Sequence, residues 1–345
     1  MSLREKINKE TKLKAVNWNT NEDSMSHIYW TQGVQQFWLE TDFDISRDLS
    51  SWNELTDKEK EVYAKVLAGL TGLDTKQGGE GMNLISYHEP RSQFQHVFAF
   101  MGGMEAVHAK SYSHIFATLV SKKENDYLLE EWVKEEPHLT KKAQYIGYYY
   151  DKLLQPNPST YDRYMAKVAS SFLESALFYS GFYYPLLFSG KGKLTQSGST
   201  VYKITQDESY HGSAVGLTAQ FDYDLLSKEE KLKANKEVNE LLDILYENEV
   251  SYTHSLYDEL GLSEDVINYV QYNFNRALSN LGRQQRFNPK PFNPIVENQV
   301  NVDKVRNGDF FSTRNDYNLA TNVKDISDSD FEFNDTNSKL VDQFL

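Results

Sequence analysis

The 345-residue chain contains no cysteine. That absence excludes disulfide bonds, thiolate metal ligands and cysteine nucleophiles, so any metal site must be built from oxygen and nitrogen ligands. Thiol chemistry, if the reaction needs it, has to come from another chain.

Basic residues are scarce relative to acidic ones: 36 Lys and Arg stand against 50 Asp and Glu, and the net charge is −14. No basic stripe is present that could neutralise a phosphate backbone, so we expect no nucleic-acid partner. The chain also lacks an uncharged apolar run of about eighteen residues and an apolar segment near the N-terminus. We therefore expect a soluble, cytoplasmic protein that does not span a membrane.

What the chain does contain is helical periodicity with almost no strand alternation, which predicts an all-α fold. Its length is sufficient for a large helical core. One predicted helix ends near Trp38, and another begins at Thr56 or Asp57 and is stopped by Gly78 and Gly79. Further helices are predicted over residues 91–119, 125–133, 140–154, 164–188, 200–221, 228–260 and 264–281.

The character of the sequence changes after Arg283, where proline, Asn and Asp replace the periodic pattern. We predict a helical domain over residues 1–285 and an extended, partly disordered C-terminal tail over residues 286–345. Near its end, acidic residues surround Phe331 and Phe333. Acidic and aromatic residues interleaved in a mobile tail are typical of a docking peptide.

The most informative motif is Glu105-Ala-Val-His108, followed one helical turn later by Tyr112. On an α-helix these three side chains share one face, and their neighbours on that face are apolar or small. A carboxylate directed into a core needs a positive partner. A second copy of the motif, Glu208-Ser-Tyr-His211, lies downstream, and paired Glu-x-x-His helices hold two metal ions in some four-helix bundles.

Single copies of this motif are most often surface pairs or satisfied core histidines. The third copy, Glu135 to His138, contains a proline and is interpreted as a solvated helix end. Two apolar helices carrying the motif are harder to dismiss, because two further apolar helices each carry a lone acid. These acids are Asp74, which could also be a solvated acid at a helix end, and Glu174, whose neighbours are Ser170, Ser171, Leu177 and Phe178.

Charge balance favours a dinuclear site. The carboxylates of Asp74, Glu105, Glu174 and Glu208 carry four negative charges, which two divalent cations neutralise and one does not. Carboxylate and imidazole ligands suit Mn or Fe. Tyr112 could be an ordinary core tyrosine, but beside a redox-active centre it could also be oxidised to a phenoxyl radical.

Together these residues resemble the small, radical-generating subunit of class I ribonucleotide reductase. The phrases VLAGLTGLDTKQ, EAVHAKSYSHIF and SGFYYPL and the short spacing before Glu174 resemble class Ib. The resemblance implies a ferritin-like helical bundle with extra helices and a flexible C-terminal tail. It also implies two Mn or Fe ions bound by six ligands: Asp74, Glu105, His108, Glu174, Glu208 and His211.

Further roles follow from the resemblance. Tyr112 would hold the radical inside an apolar pocket formed by Phe178, Phe182 and Ile204. His108, Asp207 and Trp38 would form the electron-transfer route, and Tyr317 would relay the oxidising equivalent through the tail. Variants with Phe at the radical position are excluded by Tyr112, and metal-free variants are excluded by the four intact carboxylates.

The implied partners are a second copy of the chain in a homodimer and the large catalytic subunit, which would supply the substrate site and the reducing cysteines. Activation with Mn would require a flavodoxin-like protein that delivers a superoxide-type oxidant, whereas Fe can react with O2 directly. Three alternatives stay open at this stage: another dinuclear oxidase or hydroxylase of the same fold, an iron-storage protein, and an inactive scaffold.

Overall fold

The computed structural model describes residues 14–298, and within this range the secondary structure is entirely helical. The all-α prediction is confirmed. The helices are α1 Ser26–Gln35, α2 Leu49–Asn53, α3 Asp57–Lys76, α4 Met82–His88, α5 Ser92–Leu119, α6 Lys122–Tyr127, α7 Val133–Glu135, α8 Pro137–Lys152, α9 Thr160–Phe172, α10 Tyr179–Gly190, α11 Thr195–Asp224, α12 Lys228–Tyr257 and α13 Ser263–Asn280. Short 3-10 turns occur at Glu40–Asp42, Ile45–Asp48 and Asp258–Leu260.

Helix starts follow local capping chemistry. The Thr56 hydroxyl accepts a hydrogen bond from the Glu59 amide, and the Glu59 carboxylate accepts one from the Thr56 amide. Ser159 and Ser227 cap α9 and α12 in the same reciprocal way. Each capping box satisfies amides that have no partner within the helix, so these boundaries are set by nearby residues.

The prediction that Gly78 and Gly79 stop a helix is wrong. The chain instead passes through a π-helical turn, Gln77–Gly81, and continues directly into α4. Gly78 allows a close approach, because a Cβ atom at this position would lie 2.8 Å from Glu105 Cβ. The glycine is therefore needed where α5 crosses the turn, and the helical hydrogen bonding continues through it.

Two further π-helical turns interrupt predicted helices, at Leu128–Trp132 and at Leu173–Leu177. The second turn divides the long apolar segment after Tyr164 into α9 and α10, and Glu174 lies within it. Such turns insert one extra residue and frequently occur at functional sites. Here the turn changes the face that the segment presents beyond Glu174.

The core lies between α3, α5, the α9–α10 segment and α11, which pack against one another. Large aromatic side chains fill it, among them Phe94, Phe98, Phe116 and Tyr112, which are fully buried. Helices α8, α12 and α13 pack around this core. No helix in residues 14–298 combines the length and apolarity that a membrane span requires.

The segment that follows α13 runs along the bundle as far as the structure describes it. The Asn275 side-chain oxygen accepts hydrogen bonds from the amides of Arg286 and Phe287, each at 3.0 Å. Phe292 and Val296 are buried. The division between residues 285 and 286 stays a prediction.

Candidate metal centre

Six side chains converge at the centre of the bundle. Asp74 comes from α3, Glu105 and His108 from α5, Glu174 from the Leu173–Leu177 turn, and Glu208 and His211 from α11. All six are at most 1% exposed. The i, i+3 spacing on α5 and on α11 directs each Glu and His to the same side. We call these six residues the ligand cluster.

The ligand cluster contains two overlapping groups of donor atoms, each within 4.8 Å: Asp74, Glu105, His108 and Glu208, and then Glu105, Glu174, Glu208 and His211. Glu105 and Glu208 belong to both groups. His108 Nδ1 lies 3.0 Å from Glu208 Oε1, and His211 Nδ1 lies 2.7 Å from Glu105 Oε1. Two carboxylates that belong to both donor groups, each with an imidazole nitrogen 3.0 Å or less away, form an arrangement that would suit a pair of cations.

The hydrogen bonding of the ligand cluster fits this interpretation. Both carboxylate oxygens of Asp74, Glu105 and Glu208 are buried without a hydrogen-bond partner, as are Glu174 Oε2 and Nδ1 of both histidines. Buried polar atoms are almost always hydrogen-bonded, because an unsatisfied one costs about 1–3 kcal/mol. A concentration of such atoms, all of them good ligands for Mn or Fe, is what a metal site requires.

Electrostatics point the same way. Burial raises the pKa of Asp74 and of Glu208 well above their ordinary values, and the charge of Glu105 adds to the effect. Burial also acts to raise the pKa of Glu105, but His211 and His108 outweigh it and lower that pKa to about 2. The neighbouring carboxylates raise the pKa of both histidines well above 6.5 despite their burial. The site therefore requires added positive charge, from protons or from cations.

A hydrogen-bonded line leads away from the ligand cluster. Asp207 Oδ2 lies 3.0 Å from His108 Nε2 and accepts a hydrogen bond of 2.7 Å from Trp38 Nε1. The Trp38 ring stacks on the His108 ring with centroids 5.9 Å apart. Because Nε2 faces Asp207, Nδ1 of His108 is left to face the other donors. The structure thus brings together three of the residues that the resemblance singles out.

Tyr112 lies one turn beyond His108 and is fully buried, and its hydroxyl has no hydrogen-bond partner. Burial raises its pKa well above 10.0, and the charges of Asp74, Glu208 and Glu105 raise it further. The phenol is therefore neutral and close to the ligand cluster.

The three residues of the predicted apolar pocket, Phe178, Phe182 and Ile204, are also fully buried. The rings of Phe178 and Phe182 stack with centroids 5.9 Å apart. Tyr317 lies outside the described residues. The roles of all these residues remain predictions.

Sequence reasoning missed the residues that hold Glu174. Gln77 donates through its side-chain amide to Glu174 Oε1 and to Ser170 Oγ, and the Tyr150 hydroxyl donates to Gln77 Oε1. The signal for Gln77 was available, since it follows Asp74 by three residues on the same helical face. Tyr150 lies 73 residues away from Gln77 in the chain and gives no local signal.

The third Glu-x-x-His copy does not form a similar site. Glu135 is exposed, and His138 Nδ1 lies 2.7 Å from the adjacent acid Glu136. The Glu136 side chain also accepts from the Leu139 amide and caps α8. Here the motif serves the start of a helix.

Comparisons with known proteins identify the family of this chain. The family described as "Ribonucleotide reductase, small chain" matches residues 15–294. The ribonucleoside-diphosphate reductase subunit beta of Bacillus subtilis is 45% identical over 328 residues, which cover 94% of this chain and 98% of that protein. The ribonucleoside-diphosphate reductase 2 subunit beta of Escherichia coli is 34% identical over 327 residues, covering 94% and 100%.

Among solved structures, the dimanganese(II)-NrdF of Streptococcus sanguinis superposes with a TM-score of 0.78 at 40% identity, covering 84% of this chain and 100% of that chain. The predicted ferritin-like fold and the family resemblance are confirmed. On its sequence, its fold and the two overlapping donor groups at its centre, the chain belongs to the family of ribonucleotide reductase small subunits.

Proposed function

We propose that this chain forms and stores a radical on Tyr112 and passes the oxidising equivalent to a large subunit, which reduces ribonucleotides to deoxyribonucleotides. One observation carries the proposal. Seven carboxylate oxygens and two imidazole nitrogens, all buried and without a hydrogen-bond partner, converge in two groups of donor atoms next to a buried phenol whose hydroxyl also lacks a partner. Buried polar groups without partners are costly, and bound cations would supply the missing partners.

The proposed ligands fall into the two groups described above, with Glu105 and Glu208 shared between the two ions. A pair of Mn or Fe ions bound there, once oxidised by a superoxide-type oxidant or by O2, would accept the electron that Tyr112 loses. The similar Streptococcus sanguinis protein is a dimanganese(II) form, which supports Mn as the first metal to test. All the donor atoms are oxygen and nitrogen, in agreement with either metal.

Oxidation of Tyr112 to a phenoxyl radical removes one electron from its side chain and one proton, which would pass to a carboxylate of the neighbouring ligand cluster. The radical persists only if water and reductants are kept away. Tyr112 is fully buried, and so are Phe178, Phe182 and Ile204, the residues that we propose as its apolar shield. The role of these side chains is exclusion of solvent.

We propose His108, Asp207 and Trp38 as the route by which the oxidising equivalent leaves. Asp207 Oδ2 is close to N–H groups of both Trp38 and His108, so one carboxylate connects the two rings. Its negative charge favours the positive charge that develops on Trp38 when the indole is oxidised. Tyr317, outside the described residues, is the next carrier that we propose.

Family membership gives the chain a large-subunit partner, and we propose that the acidic C-terminal segment around Phe331 and Phe333 docks there. We further propose a homodimer. If the metal is Mn, activation would need a flavodoxin-like protein that supplies the oxidant. If it is Fe, O2 would suffice.

The decisive test is Tyr112→Phe. We expect the variant to bind two metal ions per chain, because the phenol is not among the proposed ligands. Its radical EPR signal and its activity with the large subunit should fall to background, since phenylalanine has no hydroxyl to oxidise. Metal analysis, EPR and a reductase assay measure these three properties on the same preparation.

Tyr269→Phe is the matched control. Tyr269 is also fully buried with a hydroxyl that lacks a hydrogen-bond partner, but its ring packs on Tyr179, Tyr183 and Phe292. This variant should keep both radical and activity. Activity in Tyr112→Phe, or loss of the radical in both variants, would contradict the proposal.

A further inference from the structure

Lys142, on α8, is a buried lysine that the chemistry above does not use. Its Nζ atom lies 2.6 Å from Glu249 Oε2, 3.3 Å from the carbonyl oxygen of Leu177, and 4.2 Å from the centre of the Tyr252 ring. Lys142 is 1% exposed and Glu249 is fully buried. A buried charge is costly without partners, so the ammonium is committed to these contacts.

The contact with Leu177 falls at the end of the π-helical turn that carries Glu174. In a continuous α-helix the carbonyl of residue 177 accepts from the amide of residue 181. Here the amides of Gly181 and Phe182 both donate to the Phe178 carbonyl, at 2.9 and 3.1 Å. The extra residue of the turn thus takes away the usual partner of the Leu177 carbonyl, and Lys142 supplies a charged donor.

The lysine is itself firmly held. The Ser180 hydroxyl donates to Glu249 Oε1, and the Tyr257 hydroxyl donates to the Ser180 carbonyl at 2.7 Å. Glu249 and Tyr257 belong to α12 and Ser180 belongs to α10. The contact between Lys142 and Leu177 is therefore fixed to two helices besides its own.

Helix α8 also reaches Glu174 from the other side. The Tyr150 hydroxyl donates to Gln77, whose amide donates to Glu174 Oε1. The same helix thus acts on the carboxylate through Tyr150 and Gln77, and on the backbone of the turn through Lys142. Helix α8 is thus connected at two places to the turn that carries Glu174, once through Gln77 and once at the Leu177 carbonyl.

We propose that Lys142 is a positioning residue for the metal site, which holds the Leu173–Leu177 turn in the geometry that aims Glu174 at its cation. The inference rests on the proposed role of Glu174 as a metal ligand. Residues that support metal ligands typically change metal affinity by 10–100-fold when they are altered. The binding of the second cation, by Glu105, Glu174, Glu208 and His211, is the property that Lys142 controls.

The test is Mn(II) binding to the full-length, metal-free chain, followed by EPR of free and bound Mn(II). In Lys142→Met combined with Glu249→Gln, the donor to Leu177 is lost and no unpaired buried carboxylate is left. We expect one of the two Mn(II) sites to weaken about tenfold or more, and the EPR signature of the coupled pair to decline with it. Wild-type affinity at both sites would overturn the proposal.

Lys167→Met is the matched control, because Lys167 is equally buried and also pairs at 2.6 Å with an acid, Glu89, while its other hydrogen bonds go to Asp222 and to the Thr218 carbonyl and not to Leu177. It should keep both Mn(II) sites. Equal loss in this variant would reduce Lys142 to a contributor to general stability and overturn the proposal.

Glu249→Gln alone is a milder variant, which tests the role of Lys142 even if the double variant does not fold. It removes the charge that holds Nζ beside the Leu177 carbonyl, so one Mn(II) site should weaken, by less than in the double variant, and wild-type strength at both sites would contradict the proposal. Failure of the proposed function looks different: wild-type protein would then bind fewer than two Mn(II), or Glu174→Ala would bind two.

Discussion

Two regions of this bundle bury several charges, and they do so in opposite ways. The first region, which we call the lysine cluster, consists of Lys167, Arg91, Arg163, Glu89 and Asp222. Lys167 Nζ lies 2.6 Å from Glu89 and 2.7 Å from Asp222, while Arg91 pairs with Glu89 and Arg163 pairs with Asp222. Every acid there has at least two basic partners from the chain. In the ligand cluster, four carboxylates face only two imidazoles, and most of their oxygens have no hydrogen-bond partner.

The difference separates a structural use of buried charge from a functional one. The lysine cluster joins the segment before α5 to α9 and α11, and the negative charges of its two acids are already offset by basic side chains of the chain, so we call it the balanced region. The ligand cluster is stable only when protons or cations from outside complete it. Burial alone therefore does not identify a site, whereas burial together with missing partners does.

The largest expected change in stability comes from adding cations to the ligand cluster. Adding Mn(II) to the metal-free chain at about 100 times its dissociation constant should stabilise the fold by about 2.7 kcal/mol for each ion bound. The reason is that bound cations replace the repulsion among buried acids. Calorimetry of the metal-free and loaded protein at neutral pH measures the change, and equal melting temperatures would show that the cluster needs no cation.

A smaller loss is expected when the balanced region is broken. Lys167→Met should cost about 3 kcal/mol, the lower end for breaking a buried ion pair, because Arg91 and Arg163 still face the two acids. Urea unfolding measures this loss. The added stability from Mn(II) should be unchanged in this variant, and a reduced response to Mn(II) would mean that the two regions are coupled.

The smallest effect concerns pH. Burial and the charges of Glu105 and Glu174 raise the pKa of Glu208 well above 4.5 in the fold. A group with a raised folded pKa contributes stability below its unfolded pKa, and that contribution is lost as the pH rises through the folded pKa. Metal-free wild type should therefore weaken on going from pH 5 to pH 8.

Glu208→Gln should flatten this slope and stabilise the metal-free chain at pH 8, because the neutral amide needs no proton to be buried. Asp222→Asn, in the balanced region, should instead destabilise the fold, because Lys167 and Arg163 lose a charged partner. Thermal unfolding across this pH range measures both, and destabilisation by both substitutions would remove the contrast between the regions.

Much of this contrast was accessible from the sequence, because it depends on local spacing. The Glu-x-x-His pairs and the lone acids Asp74 and Glu174 indicated four helices around one centre, and helical periodicity located most helix ends within a few residues. Capping residues such as Thr56 fixed individual starts. The proposed electron-transfer roles of Trp38 and Asp207 rest on family resemblance, since nothing in their spacing joins residues so far apart.

The rest depends on contacts that no local pattern encodes. The π-helical turns leave the composition of a helix unchanged, so Gly78 and Gly79 suggested a stop where the hydrogen bonding in fact continues. Lys142 and Glu249 are equally invisible as a pair: each lies on an amphipathic helix, where a charged residue is ordinarily interpreted as solvent-facing. Only the packing of α8 against α12 shows that both are buried.

The single additional residue in the Leu173–Leu177 turn rotates the side-chain directions of α10 relative to those of α9. Each residue of an α-helix advances the direction of the next side chain by about 100°. Upstream, Lys167 is aligned with Glu89 and Asp222, and downstream the Tyr183 hydroxyl reaches Asp265. Deleting one residue would remove this change of direction, so the contacts of Lys167 and of Tyr183 could not both be kept. The number of residues in this segment is therefore constrained more tightly than their identity.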